Sequence, residues 1–123
     1  MKLYRVIIPV SDIEKATEFY NQVLELNGKR VSTGRHYFNC EGTILACFDP
    51  IADGDYFESQ PNPDHVYLSV SNLEKVYSVI KELDPSLLQK SIKTQPWGER
   101  SFYAKDPFGN PICFVDEKTV FLG

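Results

Sequence analysis

Cysteine and histidine can act as nucleophiles or bind a metal, and this 123-residue sequence has three cysteines and two histidines. The three cysteines, Cys40, Cys47 and Cys113, form no C-x-x-C pair and no zinc-binding spacing. Their odd number, in a sequence without a recognisable secretion signal, favours reduced thiols that pack as small apolar side chains. His65 and Cys113 could instead form a thiolate–imidazole pair, but the sequence supplies neither an orienting third group nor an oxyanion hole.

Aromatic and basic side chains offer a second chemistry, which is the binding of flat or anionic molecules. The only tryptophan stands in the run Gln95-Pro96-Trp97-Gly98-Glu99-Arg100, in front of an expected strand. Trp97 either forms an aromatic wall of a binding site, with Arg100 as a polar contact, or packs in the core. Tyr103, in the strand that follows, has the same two interpretations.

Composition excludes several functional classes. The chain has 13 basic and 17 acidic residues, a net charge of −4, and 42% hydrophobic residues, which is enough for a core. No basic surface for nucleic acid is indicated. No apolar run approaches the ~20 residues that span a bilayer. We therefore expect a single cytoplasmic domain that binds neither nucleic acid nor membranes.

An internal repeat organises the chain. Residues 10–15, Val-Ser-Asp-Ile-Glu-Lys, match residues 70–75, Val-Ser-Asn-Leu-Glu-Lys, at an offset of 60, and four of the six positions are identical. Upstream of these segments, Ile8 matches Leu68. An offset of about half the chain is too long for the common solenoid repeats and indicates two copies of one supersecondary unit.

Each copy begins with the pattern of a strand followed by a helix. Residues 3–10 and 65–70 alternate between apolar and other side chains, which is typical of a half-buried strand. A Ser-x-x-Glu pattern then predicts a capping box at each helix start. The two pairs are Ser11 with Glu14 and Ser71 with Glu74. Gly28 predicts the end of the first helix region, and Asp84-Pro85 predicts the end of the second.

Three shorter strands are predicted after each helix. In the first copy they lie near residues 29–32, 36–40 and 43–48, with a hairpin turn at Glu41-Gly42. In the second copy they lie near residues 91–94, 101–104 and 112–115, with a cluster of turn residues at 106–111. Each copy therefore predicts a β-α-β-β-β unit. The expected boundaries are 1–50 for the first unit, 51–64 for an acidic proline-containing linker, and 65–123 for the second unit.

The doubled βαβββ pattern resembles the vicinal oxygen chelate superfamily, which includes glyoxalase I, extradiol dioxygenases, and bleomycin and fosfomycin resistance proteins. Three stretches carry the resemblance, which covers nearly the whole chain. They are Val10-Ser11-Asp12 followed by Phe19-Tyr20 and Leu24, residues 65–74, and Asp106-Pro107-Phe108-Gly109-Asn110-Pro111. The resemblance implies an α+β fold in which the sheets form a cleft-shaped half-barrel. The helices would lie outside, and a ligand would sit on the concave face.

The resemblance also implies where metal-dependent members of the superfamily carry their ligands. The corresponding positions here are Arg5, Ala46, His65 and Cys113. Arginine cannot ligate a metal and alanine has no donor atom, so only His65 and Cys113 could do so. We therefore expect no metal and no other cofactor.

A cleft without a metal could still bind a ligand. The resemblance, together with strand parity, brings Arg5, His65, Tyr67 and Cys113 to its concave side. In this hypothesis Arg5 pairs with a carboxylate or phosphate and Tyr67 offers a flat surface. The alternative is that Arg5 points to solvent or pairs with a neighbouring acid. The full set of expected ligand-binding residues is Arg5, His65, Tyr67, Trp97, Arg100, Tyr103 and Cys113.

The resemblance to the bleomycin-resistance branch implies metal-independent binding of a small organic molecule, without catalysis. The sequence does not specify the ligand. Two alternatives stay open, a metal-dependent lyase or dioxygenase of the glyoxalase type and a non-catalytic partner-binding domain. Superfamily members commonly dimerise, so we also expect a homodimer.

Overall fold

The computed structural model describes residues 1–123, and its element order repeats once along the chain. A strand, a helix and three further strands occur in the unit Met1–Asn62 and again in the unit Pro63–Gly123. Residues 51–62, which were expected to form a linker, group with the first unit. No helix of the protein is both long enough and apolar enough to cross a membrane.

Each unit contains one mixed four-stranded sheet and one helix, so the fold is α+β as the resemblance implied. The first unit comprises β1 (Arg5–Pro9), α1 (Ile13–Leu24), β2 (Lys29–Ser32), β3 (Arg35–Cys40) and β4 (Thr43–Phe48). The second comprises β5 (Val66–Val70), α2 (Leu73–Leu83), β6 (Lys93–Thr94), β7 (Arg100–Lys105) and β8 (Pro111–Asp116). The strand orders are β1-β4-β3-β2 and β5-β8-β7-β6, and only the first pair in each order is parallel.

Both helices begin one residue later than the predicted capping boxes. Asp12 is the N-cap of α1, and its Oδ1 accepts the backbone amide three residues ahead at 3.1 Å. Asn72 caps α2 in the same way, also at 3.1 Å. The prediction that Ser11 and Ser71 form capping boxes at the helix starts is therefore wrong. Asp and Asn are as good as Ser at this position, and here they stand directly before the first helical residue.

The first helix also ends earlier than predicted. It ends at Leu24, and the C-cap Glu25 adopts the left-handed conformation with φ 56°. Gly28 lies in the loop before β2, where its φ is 66° and a Cβ atom would come within 2.8 Å of the Tyr37 carbonyl oxygen. The second helix stops before Asp84-Pro85, as predicted.

The core of each unit lies between its helix and one face of its sheet. In the first unit the ring of Tyr20 in α1 lies 6.1 Å from that of Phe38 in β3, and both side chains are fully buried. In the second unit Tyr77 of α2 meets Phe102 of β7 edge-on at 5.1 Å. Because side chains alternate along a strand, these contacts define which face each helix covers. We call the opposite face of each sheet its helix-free face.

Two tight turns set the register of the strands that carry the site. The predicted hairpin at Glu41-Gly42 joins β3 to β4, with positive φ at both residues. Between β7 and β8, the buried carboxylate of Asp106 accepts the backbone amides of Phe108 and Asn110 and the Asn110 side chain, each at 2.9 Å. The second turn, which is part of the Asp-Pro-Phe-Gly-Asn-Pro motif, is thus held by an aspartate with a structural role.

Candidate functional site

Four of the predicted ligand residues lie together on the helix-free face of the second sheet. Tyr67 in β5 and Tyr103 in β7 are both register partners of Cys113 in β8, so adjacent strands present the three side chains next to each other. His65 immediately precedes β5, and its ring lies 5.0 Å from the Tyr103 ring and 6.3 Å from the Tyr67 ring. One sheet face thus carries an imidazole, two phenols and a thiol.

The polar groups on this face influence one another. Beyond the effect of burial, Tyr67 raises the pKa of the Tyr103 hydroxyl, and Ser101 and Tyr103 act to lower the pKa of the Cys113 thiol. Ser101 Oγ in turn accepts a bond of 3.2 Å from Gln95 Nε2. Sequence reasoning missed Ser101 and Gln95. The available signal was the period-two alternation of β7, which brings Ser101 to the same face as Tyr103.

Burial makes the Cys113 thiol a weaker acid than an ordinary cysteine. Its side chain is 1% exposed, and desolvation raises the pKa of the thiol more than the hydrogen bonds of Ser101 and Tyr103 lower it. The Glu99 carboxylate raises this pKa further. A protonated thiol is a poor nucleophile, and the ring contacts of His65 are with tyrosines. These observations argue against a thiolate–imidazole pair.

The loop before β7 exposes Trp97. A turn forms here, in which the amide of Gly98 donates to the carbonyl oxygen of Gln95 at 2.9 Å. Trp97 is 58% exposed, and its indole N–H donates to Glu99 Oε1 at 2.6 Å. The interpretation that Trp97 packs in the core is therefore wrong. The tryptophan is available to a molecule that approaches this edge of the second unit.

Arg100 lies on the helix-covered face of the second sheet, away from the group around Tyr103. Its guanidinium pairs with Glu74 of α2, and its Nη1 lies 3.6 Å from Asp116 Oδ2. The hydrogen bond from Arg100 lowers the pKa of the Glu74 carboxyl. Alternate positions of a strand point to opposite faces, so Arg100 and Tyr103 cannot line one surface. Arg100 thus links α2 to the sheet through ion pairs, and it is not part of the group around Tyr103.

Arg5 lies on the helix-free face of the first sheet, exposed and without an acidic partner. Its guanidinium carbon lies 5.0 Å from the centre of the Tyr4 ring and 5.1 Å from that of the Tyr37 ring. Hydrogen bonding to Tyr4 is the main cause of a raised pKa of Arg5, and Tyr37 contributes in the same direction. Pairing with a neighbouring acid, one of the alternatives for Arg5, is not observed.

Two residues that sequence reasoning missed lie beside Arg5. Tyr37 is the register partner of Ala46, and Arg35 precedes it by two positions on the same face of β3. Arg35 Nη1 donates to the Tyr37 hydroxyl at 3.2 Å, and the Arg35 guanidinium lies 4.1 Å from the centre of the Phe48 ring. Arg35 Nε also lies 3.5 Å from Asp53 Oδ2. The first sheet thus presents two arginines on one face.

The residues at the positions of the superfamily's metal ligands do not fit a catalytic divalent cation. Arg5 and Ala46 occupy the helix-free face of the first sheet, and neither can donate to a metal. In the second unit His65 offers an ordinary ligand atom, but the Cys113 thiol is buried and its pKa is raised. No group of three or more His, Cys, Asp or Glu side chains that could hold a metal ion occurs in the structure.

A cavity of about 440 Å³ lies in the first unit beside the end of β4. None of the predicted ligand residues contributes to it. It is lined by Ser11, Asp49, Ile51, Ala52, Glu58 and Ser59. Two carboxylates without a basic side chain make this cavity unsuitable for an organic anion.

Comparison with known proteins gives one consistent result. Residues 2–114 match the sequence model of the Glyoxalase/Bleomycin resistance protein/Dioxygenase superfamily. A glyoxalase-related enzyme from Fulvimarina pelagi has a TM-score of 0.76 at 16% identity, over 100% of this chain and 93% of that chain. A lactoylglutathione lyase from Agrobacterium tumefaciens has a TM-score of 0.72 at 18% identity, over 95% of this chain and 94% of that chain.

A superfamily member from Sphaerobacter thermophilus DSM 20745 has a TM-score of 0.72 at 22% identity, over 95% of this chain and 98% of that chain. A search of curated protein sequences found no match. At these identities the likeness to the solved structures shows the fold alone.

Proposed function

Because this chain belongs to the Glyoxalase/Bleomycin resistance protein/Dioxygenase superfamily, we propose that it binds a small organic molecule without a metal, on the helix-free faces of its sheets. The grouping of His65, Tyr67, Tyr103 and Cys113 carries the proposal. Ligand sites combine apolar and aromatic lining with a few polar groups. The Tyr67 side chain, which is 57% exposed, supplies aromatic lining. The tyrosine hydroxyls and the imidazole supply the polar groups.

The acid–base state of this group supports binding rather than covalent catalysis. The buried Cys113 thiol has a raised pKa, and burial likewise raises the pKa of Tyr103. Both groups are therefore neutral hydrogen-bonding partners at neutral pH, and neither is an activated nucleophile. On the helix-free face of the first sheet, Arg5 presents a separate fixed positive charge, which suits a ligand that carries an acidic group.

A metal-dependent lyase or dioxygenase is the less well supported alternative. One structural neighbour is named a lactoylglutathione lyase. A catalytic divalent cation of this superfamily needs about three donor side chains, and two of the four corresponding positions here hold Arg5 and Ala46. The chemistry of these two side chains argues against that activity.

A ligand screen tests the proposal. Small aromatic molecules, neutral and anionic, are screened by the fluorescence of the exposed Trp97 and by the shift in unfolding temperature. We expect at least one binder, and we expect Tyr67→Ala and Tyr103→Ala each to weaken it about tenfold or more, because both remove ring surface and a hydroxyl. Tyr56→Ala is the matched control, since Tyr56 is 99% exposed outside both sheets.

Metal content is measured on the same protein, purified without an affinity tag. Nickel, iron, manganese and zinc should each stay well below one equivalent, before and after incubation with each ion. Near-stoichiometric metal that is lost in His65→Ala would contradict the proposal and favour the metal-dependent enzyme. A screen without a binder, or equal weakening by the Tyr56 control, would also contradict it.

A further inference from the structure

We propose that Arg5, Tyr37 and Arg35 form an anion-binding site on the helix-free face of the first sheet, and that this site takes the carboxylate of a planar organic acid. The inference rests on the proposed function and specifies the class of its ligand.

Strand order brings the two arginines to one place. Strand β4 lies between β1, which carries Arg5, and β3, which carries Arg35 and Tyr37. Ile7 and Tyr37 are both register partners of Ala46, so the small alanine side chain lies between the two outer strands on this face. The long side chains from either side can therefore meet over β4, as the distance of 5.1 Å from the Arg5 guanidinium to the Tyr37 ring shows.

The Tyr37 side chain contacts both arginines. Its hydroxyl oxygen accepts from Arg35 Nη1 at 3.2 Å, and the Arg5 guanidinium carbon lies 5.1 Å from the centre of its ring. A guanidinium can only donate, so the single phenolic proton is not used in the bond with Arg35. That proton is free to bind an acceptor, and a carboxylate oxygen is an acceptor without a competing hydrogen.

The charge balance of the group favours an anion. Arg5 Nη2 donates to the Tyr4 hydroxyl at 3.5 Å, its guanidinium lies near the rings of Tyr4 and Tyr37, and no carboxylate pairs with it. Arg35 has one acidic partner, Asp53, at 3.5 Å from its Nε, while its Nη1 is bound to Tyr37. Two guanidinium charges and one carboxylate leave one uncompensated positive charge, in a chain whose overall charge is −4.

Aromatic rings restrict the shape of the acid that would bind. The Arg35 guanidinium lies 4.1 Å from the centre of the Phe48 ring, and Arg5 lies near both Tyr4 and Tyr37. A guanidinium held against a ring keeps its donors in a fixed planar fork, which matches the two oxygens of a carboxylate. The same rings offer contact to a flat molecule, so an aromatic carboxylate combines both requirements.

Sodium benzoate is the probe that tests this site. It is titrated at constant ionic strength and followed by ¹H–¹⁵N spectra of the backbone amides and the arginine Nε–H groups. We expect saturable shifts at Arg5, Tyr37 and Arg35. Benzamide, the neutral analogue, should bind about tenfold more weakly than benzoate, or weaker still. Arg5→Gln and Arg35→Gln should each weaken benzoate about tenfold or more. Tyr37→Phe should weaken it less than either.

Arg100→Gln is the matched control, because it removes the same charge from the helix-covered face of the second sheet. Its benzoate affinity should equal that of the unchanged protein, and the spectra report whether each variant is folded. The inference would be overturned by absent shifts up to the solubility limit of benzoate, by equal binding of benzamide, or by unchanged affinity in Arg35→Gln. Inorganic phosphate that binds as tightly as benzoate would overturn the preference for a planar acid.

The two proposals fail in distinguishable ways. Benzoate or benzamide shifts confined to His65, Tyr67 and Tyr103 would overturn the anion site and leave small-molecule binding intact. An aromatic screen without any binder would contradict the proposed function, and the anion site would fall with it.

Discussion

Single residues differ between the two units at positions that the sheets make equivalent. Tyr37 is the register partner of Ala46, and Tyr103 is the register partner of Cys113 in the corresponding strand pair of the second unit. Arg35 donates to the hydroxyl of Tyr37, and the Arg5 guanidinium lies near its ring, whereas Tyr103 pairs with Cys113, and burial and the Glu99 carboxylate act to raise its pKa. The same phenol is therefore placed beside two arginines in one unit and near a carboxylate in the other.

Cys113 should resist alkylation in the folded protein near neutral pH. Burial raises the pKa of its thiol, so its thiolate fraction lies below that of a free cysteine with a pKa of about 8.5. Iodoacetamide labelling, followed by mass spectrometry of the peptide that contains Cys113, should become measurable only above that pH. In urea the same cysteine should react as a free thiol does.

The free energy of unfolding should fall as the pH rises into the alkaline range. The pKa values of Cys113 and Tyr103 are both raised by burial, so their neutral forms stabilise the folded state. This stabilisation is fully present below the unfolded pKa values of about 8.5 and 10, and it is lost as the pH rises through the folded ones.

Selective labelling of Cys113 by iodoacetamide near neutral pH would contradict the raised pKa of its thiol and restore the thiolate–imidazole hypothesis.

At the scale of elements, the turn between β7 and β8 depends on one buried carboxylate. Asp106→Asn should lower the free energy of unfolding by about 1–3 kcal/mol, because a side-chain NH₂ would face donors that the carboxylate now accepts. Urea unfolding measures this loss. Lys105→Gln, an exposed neighbour, should leave stability unchanged. Unchanged stability in Asp106→Asn would show that Asp106 does not hold the turn.

The strands and helices were largely predictable because their patterns are local. Period-two and helical spacing of apolar residues identified the first strand of each unit and both helices, and turn residues indicated the later strands. The strands at residues 29–32 and 43–48 have the predicted bounds, whereas β6 covers only the last two residues of the predicted 91–94. The helix starts were missed by one residue because Ser11 and Asp12 are both good caps, and only the backbone decides between them. Glu25 in a left-handed conformation was not predictable, since glycine is the usual residue there.

The candidate site was only partly predictable, because its geometry depends on which strands are neighbours. Parity within one strand linked His65 to Tyr67, and this needed no topology. Grouping Arg5 with Arg35 requires the order β1-β4-β3, which the sequence alone does not state. Arg100 was assigned to the site as a polar contact beside Trp97. Its actual partner Glu74 lies 26 residues away in another element, so local spacing could not reveal the pair.

For the whole molecule, neighbouring residues of one strand can differ in their contribution to stability, because they point to opposite faces of the sheet. Ile8 is fully buried against the helix side, whereas its neighbour Ile7 is 37% exposed on the helix-free face. Ile8→Ala should therefore lower the free energy of unfolding by about 2–5 kcal/mol. Ile7→Ala should lower it by less than about 1 kcal/mol. Urea unfolding of both variants checks the difference, and similar losses would contradict it.

Two properties of the whole molecule stay predictions. The homodimer was inferred from the resemblance alone, and the cytoplasmic location largely from the cysteine pattern. Both depend on surfaces and cellular conditions that periodicity and register do not specify. Sedimentation of the purified protein measures the first directly.

The two faces of the repeated first strand have diverged to different extents. On the helix side the matched pairs are Val6 with Val66 and Ile8 with Leu68. On the helix-free side they are Arg5 with His65 and Ile7 with Tyr67. If the proposed function holds, substitutions on that second side would alter recognition while the core stays untouched. A combinatorial library confined to those positions would therefore sample new ligand specificities rather than folding defects, and each unit could be diversified separately.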